Sequence, residues 1–344
     1  MRVEIAEQPE ALGRTLEALL PQIGQLEALA RETRQVLFIA RGSSDNAAVY
    51  GQYLCSARAG RLASLAAPSL ATVYRARLDL RGVLAVAVSQ SGATEEIVTT
   101  LDWARAGGAR TVAVTNQAGS PLTQVADATL VTQAGTELAV PATKTYTTQL
   151  AALAVLAAAL SSGRGAGVGV EELGRVPEAV AGMLEVAPAA EEMAGRLVDA
   201  GDVVVSGRGF AYSTALELAL KLKEACYLAA VGLSYADLVH GPIAIVDAAT
   251  PALLVAAAGG PVLPAMTGLA RRIAATGASV FGIGGDHDFA AACRSALPGP
   301  SLPEHLAPFA LIVPGQLLTE ALARAKGIDP DAPRGLRKVT QTGT

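Results

Sequence analysis

Ser89-Gln90-Ser91-Gly92-Ala93-Thr94 puts three hydroxyls, a side-chain amide and a glycine on one turn. An apolar run at 83–88 precedes it and a helix-like segment at 95–101 follows, so the turn joins a strand to a helix start. Backbone N–H groups at a helix N-terminus lack intrahelical partners and carry partial positive charge, which suits an anion. An ordinary N-cap needs a single hydroxyl, and Thr94 alone supplies it. The surplus points to a phosphate held by neutral donors, with no Arg or Lys required.

Proton-transfer groups occur in the second half. Leu218-Ala219-Leu220-Lys221-Leu222-Lys223-Glu224-Ala225 reads as part of an apolar helix. Lys221 is three residues from Glu224 and four from Glu217, which places all three on one face. A buried carboxylate there can serve as a proton-transfer base, and a structural ion pair is the equal alternative from spacing alone. His240 stands against Gly241-Pro242, and an imidazole suits sugar-ring opening near neutral pH. His287 and His305 lie in loop-like contexts and are expected to be solvated. Among 27 basic residues the lysines are Lys144, Lys221, Lys223, Lys326 and Lys338. Only an amine forms a Schiff base, so a chain biased toward arginine draws attention to the lysines it keeps. A frayed basic tail is the plainer reading of Lys338 taken alone.

These residues need a scaffold, and the chain alternates strand-like and helix-like segments. Runs at 36–40, 83–88, 111–115 and 128–132 lie in the first half, with a helix over 45–57 and Ser120-Pro121 as N-cap and N1 of another. A glycine-rich stretch at 161–169 reads as a loop or connection, followed by a helix-like segment over 170–200. The pattern then repeats, with strands at 203–206, 252–256 and 279–283 and a glycine turn at Gly207-Arg208-Gly209. Such alternation predicts doubly wound α/β units with parallel sheets covered on both faces, and sites beyond the strands' carboxyl ends. The expected division is a helical lead-in with a first domain over 1–160, a linker and helix over 161–190, a second domain over 191–325, and a tail over 326–344.

Bulk properties exclude other classes. Hydrophobic content is 51%, charged residues are 17% and the net charge is −4, which is no nucleic-acid surface. The longest apolar runs, such as 150–160, stop short of a membrane span, and the N-terminus lacks a signal peptide's apolar core. Cys55, Cys226 and Cys293 share no metal-ligand spacing and leave no complete disulfide framework. A soluble cytoplasmic protein without a structural metal is expected.

Together the motifs resemble the sugar-isomerase (SIS) superfamily, specifically the isomerase half of glutamine–fructose-6-phosphate amidotransferase. The matching segments are Arg41-Gly42-Ser43-Ser44, residues 89–94, Gly135-Thr136-Glu137 with Ala142-Thr143-Lys144, residues 220–224, His240-Gly241-Pro242, and the tail from Lys326. The resemblance implies two tandem SIS domains, a phosphosugar substrate, no metal or organic cofactor, and a homodimer with shared active sites. It implies that Ser89, Gln90, Ser91 and Thr94 hold the phosphate and that Gly42, Ser43 and Ser44 hold sugar hydroxyls, with Val140 and Ala142 beside the sugar. Glu224 then shuttles the proton between C1 and C2 with help from Lys221, His240 from the neighbouring subunit opens the ring, and Lys338 forms an imine with the ketose.

There are departures from the family pattern. No cysteine follows Met1 and no glutamine-hydrolysing domain precedes Val36, so release of ammonia rather than its fixation is expected. Arg41 replaces a small residue, Ala142 a serine and Asp237 a glutamate, and residues 229–235 form an altered loop ahead of His240. The leading expectation is an isomerising deaminase converting an amino-sugar 6-phosphate of the glucosamine-6-phosphate type to fructose 6-phosphate and ammonia. A 6-phospho-fructosamine deglycase, with Arg41 and the 229–236 loop on the adduct's carboxylate, is the enzymatic alternative. A non-catalytic sugar-phosphate sensor is the alternative from another class, and a dinucleotide site at Gly207-Arg208-Gly209 is more remote, lacking the third glycine.

Overall fold

The computed structural model describes residues 1–161 and 167–338 of the chain. Two five-stranded sheets are present, and every strand pairing in them is parallel. The first contains β1 (Gln35–Ile39), β2 (Leu62–Leu65), β3 (Val83–Val88), β4 (Arg110–Thr115) and β5 (Ala128–Val131), in the order β2-β1-β3-β4-β5. The second contains β6 (Asp202–Gly207), β7 (Ala229–Ser234), β8 (Ala252–Ala256), β9 (Val280–Gly284) and β10 (Ser295–Leu297), in the order β10-β9-β8-β6-β7. Read from the other edge, the second order repeats the first. In both, the first strand of the sheet lies between the second and the third.

The chain divides into two compact units, and neither is a single run of sequence. One comprises Glu10–Glu137, Lys144–Arg175 and Arg337–Thr344, and the other Met1–Pro9, Leu138–Thr143 and Val176–Leu336. In the first, β3 is buried from Leu84 to Val88, as a strand covered on both faces must be. The Glu95–Ala106 helix turns Ile97, Leu101 and Ala104, spaced at four and three, into a cluster with Ile39, Ala85, Ala87 and Leu122. The Lys144–Leu160 helix is buried along its whole length, so it shows little amphipathic contrast. In the second unit, Val204, Leu254, Ala256, Met266, Ile273 and Phe289 share one core. The Ala307–Ala325 helix is buried from Ala307 to Ala323.

Several segments differ from their sequence patterns. Residues 229–235 are not a loop: 229–234 form β7, paired along its length with β6, and Tyr235 begins a short helix. Gly232 concealed the strand, yet the backbone there lies so close to the 211–226 helix that a Cβ would meet Ala219 at 3.1 Å. The segment 170–200 is not one helix but Val170–Leu173, Val176–Met183, the 3-10 turn Leu184–Val186 and Ala187–Leu197. Pro177 and Pro188 each fall in a first helical turn, where a missing N–H costs nothing, and therefore mark new starts. Of the glycine-rich stretch, residues 162–166 lie outside the described residues. Among the described residues, no helix is long and apolar enough to cross a membrane, and no cluster of His, Cys, Asp and Glu could hold a metal ion.

Candidate functional site

In the first sheet, the chain leaves β1 toward β2 on one side, while β3 lies on the other. Ligand crevices of open parallel sheets form at such a reversal, beyond the carboxyl ends of the strands. The register pairs Ile39 with Ala87, so the turns after β1 and β3 emerge side by side. These turns are Arg41–Ser44 and Ser89–Thr94, and each opens directly into a helix, Ser43–Ala57 or Glu95–Ala106. The structure thus sets seven of the expected binding residues (Gly42, Ser43, Ser44, Ser89, Gln90, Ser91 and Thr94) on two adjacent helix N-termini.

The 89–94 turn is held from below by its own backbone. Asn116 N–H donates to the Gln90 carbonyl at 3.0 Å, the Thr115 hydroxyl donates to the same carbonyl at 3.1 Å, and Leu122 N–H donates to the Gly92 carbonyl at 2.9 Å. Gly92 has φ of +60°, and a Cβ there would lie 2.1 Å from Ser120 Oγ and 2.8 Å from Thr115 Oγ1. Only glycine fits both the dihedral and the space. Thr94 sits at the N-cap position in extended conformation, yet its hydroxyl makes no capping bond. The ordinary-cap reading of Thr94 therefore loses its support. Ala93 N–H donates to Ser91 Oγ at 3.2 Å.

Arg41 is engaged within the chain. Its Nε and Nη2 donate to Glu96 Oε2 and Oε1, both at 3.0 Å, in a two-pronged pair that ties the β1 turn to the first turn of the Glu95–Ala106 helix. The guanidinium expected to meet an adduct's carboxylate thus already holds one. Burial raises the Asp45 carboxyl above its usual range, with Arg41 acting in the opposite direction.

Lys338 belongs to the same unit. Its Nζ donates to Glu137 Oε2 at 2.7 Å. The Glu137 side chain is fully buried and also accepts from the Thr145 hydroxyl at 2.5 Å and the Thr145 N–H at 3.2 Å. Glu137 and Thr145 had no assigned role in the sequence. The available signal was that Glu137 and Lys144 sit inside motif segments, one on either side of the short 138–143 excursion into the other unit.

The remaining expected residues lie in the second unit. Lys221 is buried within the Ala211–Cys226 helix, 2.5 Å from Glu224 Oε2 and 3.5 Å from Glu217 Oε1. Glu217 is wholly buried, whereas the Glu224 side chain is 24% exposed, which leaves Glu224 the carboxylate that an incoming molecule can reach. His240 is exposed and ends the Tyr235–Val239 helix ahead of Gly241. Val140 and Ala142 are half-buried, and Val140 N–H donates to the Asp331 carbonyl at 3.0 Å. Tyr227 secures the tail, accepting at its hydroxyl from Arg334 N–H at 2.7 Å with the guanidinium 4.3 Å over its ring.

His305 is not solvated. It is buried, edge-on to Phe210 at 6.3 Å, because Leu306 and the helix behind it draw the segment inward. The second sheet has its own reversal between β6 and β8, but its glycine turn is furnished differently. Arg208 stacks on Tyr235 at 4.5 Å, and Glu304 occupies the room that Gly209 and Gly260 leave. Burial pushes the Glu304 carboxyl up. An anion-binding role is thus better suited to the first sheet's turns than to this one.

A family model described as SIS domain matches residues 29–159, the span that contains β1 to β5. Glutamine–fructose-6-phosphate aminotransferase [isomerizing] of Pyrococcus horikoshii is 36% identical over 344 residues, with 98% of this chain aligned. This chain spans 57% of that relative's length. A crystal structure from Silicibacter pomeroyi DSS-3, described as a phosphosugar isomerase, is 36% identical with a TM-score of 0.86, covering 96% of this chain and 99% of that one. The C-terminal domain of glucosamine–fructose-6-phosphate aminotransferase from Francisella tularensis is 28% identical with a TM-score of 0.88, covering 96% and 97%.

Proposed function

This chain belongs to the SIS-domain phosphosugar isomerase family, and from that premise we propose that it is an isomerising deaminase of amino-sugar 6-phosphates. The substrate is of the glucosamine 6-phosphate type, and the products are fructose 6-phosphate and ammonia. The two sheets are two tandem SIS domains, of which the first takes the phosphate on the hydroxyls and amides of Ser89–Thr94. Gly42, Ser43 and Ser44, with Val140 and Ala142, contact the sugar.

The chemistry needs only acid–base groups and an amine. His240 moves the proton that opens the ring to the free aldehyde. Glu224, oriented by the Lys221 ammonium, takes the proton from C2 and returns it to C1, leaving a C2 imine and a C1 alcohol. The Lys338 amine adds to C2 and displaces ammonia, and water then hydrolyses the lysine imine to release the ketose and regenerate the amine. At low free ammonia, mass action runs the sequence toward release. His240 is supplied by a second copy of the chain in a homodimer.

One observation carries this reading: Lys338 is held 2.7 Å from a fully buried carboxylate, in the same unit as the phosphate turn. In this reading the Glu137 carboxylate holds the Lys338 amine in place for addition to C2. The test is to incubate the purified chain with glucosamine 6-phosphate and assay ammonia and fructose 6-phosphate together, then to trap the imine with borohydride and locate the adduct by peptide mass. Silence across several amino-sugar phosphates removes the deaminase reading. Phosphosugar binding with neither turnover nor an adduct leaves a sensor.

A further inference from the structure

The phosphate turn is the N-terminus of the Glu95–Ala106 helix, and Glu95 and Glu96 are that helix's first two residues. A carboxylate in a first turn is favourable to an empty helix end. It is unfavourable once a phosphate dianion occupies the same end, because the two anions repel and compete for one dipole. The adjacent helix adds Asp45 in its own first turn. The Glu96 side chain is only 14% exposed, so water screens it poorly. Arg41 answers this crowding. Its guanidinium spans from the β1 turn and holds both Glu96 oxygens at 3.0 Å. It also faces Asp45, whose carboxyl it draws back toward ionisation against the effect of burial.

We propose that Arg41 is a positioning residue for phosphate recognition, acting through Glu96 by cancelling the charge that otherwise repels the substrate's phosphate. This rests on the reading of residues 89–94 as the phosphate turn. It predicts a coupling between two side chains rather than a direct contact between Arg41 and the ligand. Lysine is a poor replacement, because one ammonium cannot match both carboxylate oxygens in a plane.

The experiment measures binding of fructose 6-phosphate, and separately of inorganic phosphate, by calorimetry in the wild type and four variants: Arg41→Ala, Arg41→Lys, Glu96→Gln and the Arg41→Ala/Glu96→Gln pair. Arg41→Ala is expected to weaken both ligands about tenfold at low salt, with the loss shrinking as salt rises. Arg41→Lys falls between Arg41→Ala and the wild type. The double variant returns to within about threefold of the wild type, since removing the carboxylate together with the cation restores the same net charge at the turn. A double variant as weak as Arg41→Ala overturns the proposal, as does an Arg41→Ala affinity equal to wild type or a loss insensitive to salt. Should Arg41→Ala not be recovered folded, Arg41→Gln serves in the same cycle. A wild type that binds neither probe removes the phosphate-turn reading itself, and the proposal with it. That result is distinct from wild-type binding with no coupling.

Discussion

Lys338 donates to Glu137 across 2.7 Å, and the accepting carboxylate is itself sealed from solvent and fastened by Thr145. The amine near the chain's end is therefore a placed group with a fixed counter-charge. Lys338→Arg keeps the positive charge and the hydrogen bonding to Glu137 but removes the nucleophile. Turnover is expected to fall by about a thousandfold or more, and borohydride trapping to vanish, with phosphosugar affinity retained. Trapping that persists in Lys338→Arg assigns the imine to another lysine.

Lys221 and Glu224 separate stability from catalysis. Lys221 is the buried partner of Glu217 as well as of Glu224. Lys221→Met removes the cation paired with the fully buried Glu217 carboxylate and should cost about 3–5 kcal/mol of folding stability, read as a lower urea midpoint. Glu224→Gln leaves the Lys221–Glu217 pair intact, so its midpoint should move little while isomerisation is lost. Equal stability losses in the two variants make the cluster structural and withdraw the proton-shuttle role.

Gly92 is the position where the turn tolerates no side chain. An added methyl meets Ser120 Oγ at 2.1 Å and Thr115 Oγ1 at 2.8 Å, in a backbone region that costs an L-residue about 1–2 kcal/mol. Gly92→Ala is expected to abolish phosphosugar binding by moving the 89–94 backbone, while far-ultraviolet circular dichroism keeps its native form. Gly119→Ala, a control also at positive φ but with open space around it, should retain binding.

How far the sequence reveals this arrangement depends on whether the signal is local. The Ser89–Thr94 turn stands out because strand, turn and helix start are contiguous, and their periodicities change within a few residues. The helix bearing Lys221 is legible for the same reason: apolar neighbours predict the burial that the structure has. By contrast, β2 and β10 are edge strands of four and three residues, too short to show a period, and β7 has a glycine where a strand former is expected. The Arg41–Glu96 pair joins residues 55 apart, and Lys338–Glu137 joins residues 201 apart. No period or spacing encodes such pairs, because the sheet order brings the first together and the return of the tail brings the second. The Pro-Glu-His sequence around His305 is polar, yet Leu306 and the helix behind it draw it inward, edge-on to Phe210 from nearly a hundred residues earlier.

Desolvation governs the three cysteines. Burial pushes the thiols of Cys55, Cys226 and Cys293 up to about 12, with Arg61 and Lys326 opposing the shift at the first two. At pH 8 only about one native thiol in ten thousand is ionised, so Ellman's reagent should react very slowly until denaturant is added. The sign for stability follows from linkage. A thiol whose pKa is raised on folding favours the native state fully at neutral pH, and that advantage is lost as pH climbs from the ordinary thiol range toward 12. Unfolding midpoints should therefore fall on the alkaline side, and less steeply in a Cys55→Ala variant. Rapid native-state labelling at pH 8 contradicts the shift.

His240 is exposed on the chain surface. A homodimer with shared sites, as proposed above, makes a stoichiometric prediction. His240→Asn and Lys338→Arg are each inactive alone, because every site in either homodimer lacks one group. When the two are mixed, partly unfolded and allowed to re-pair, half of the dimers combine one subunit of each kind. Each mixed dimer has one site with both groups intact and one with neither, because a two-fold interface exchanges the same residue in both directions. Activity should recover to about a quarter of wild type, the product of those two halves. No recovery, with light scattering showing that dimers did form, places the imidazole and the amine of each site on the same chain.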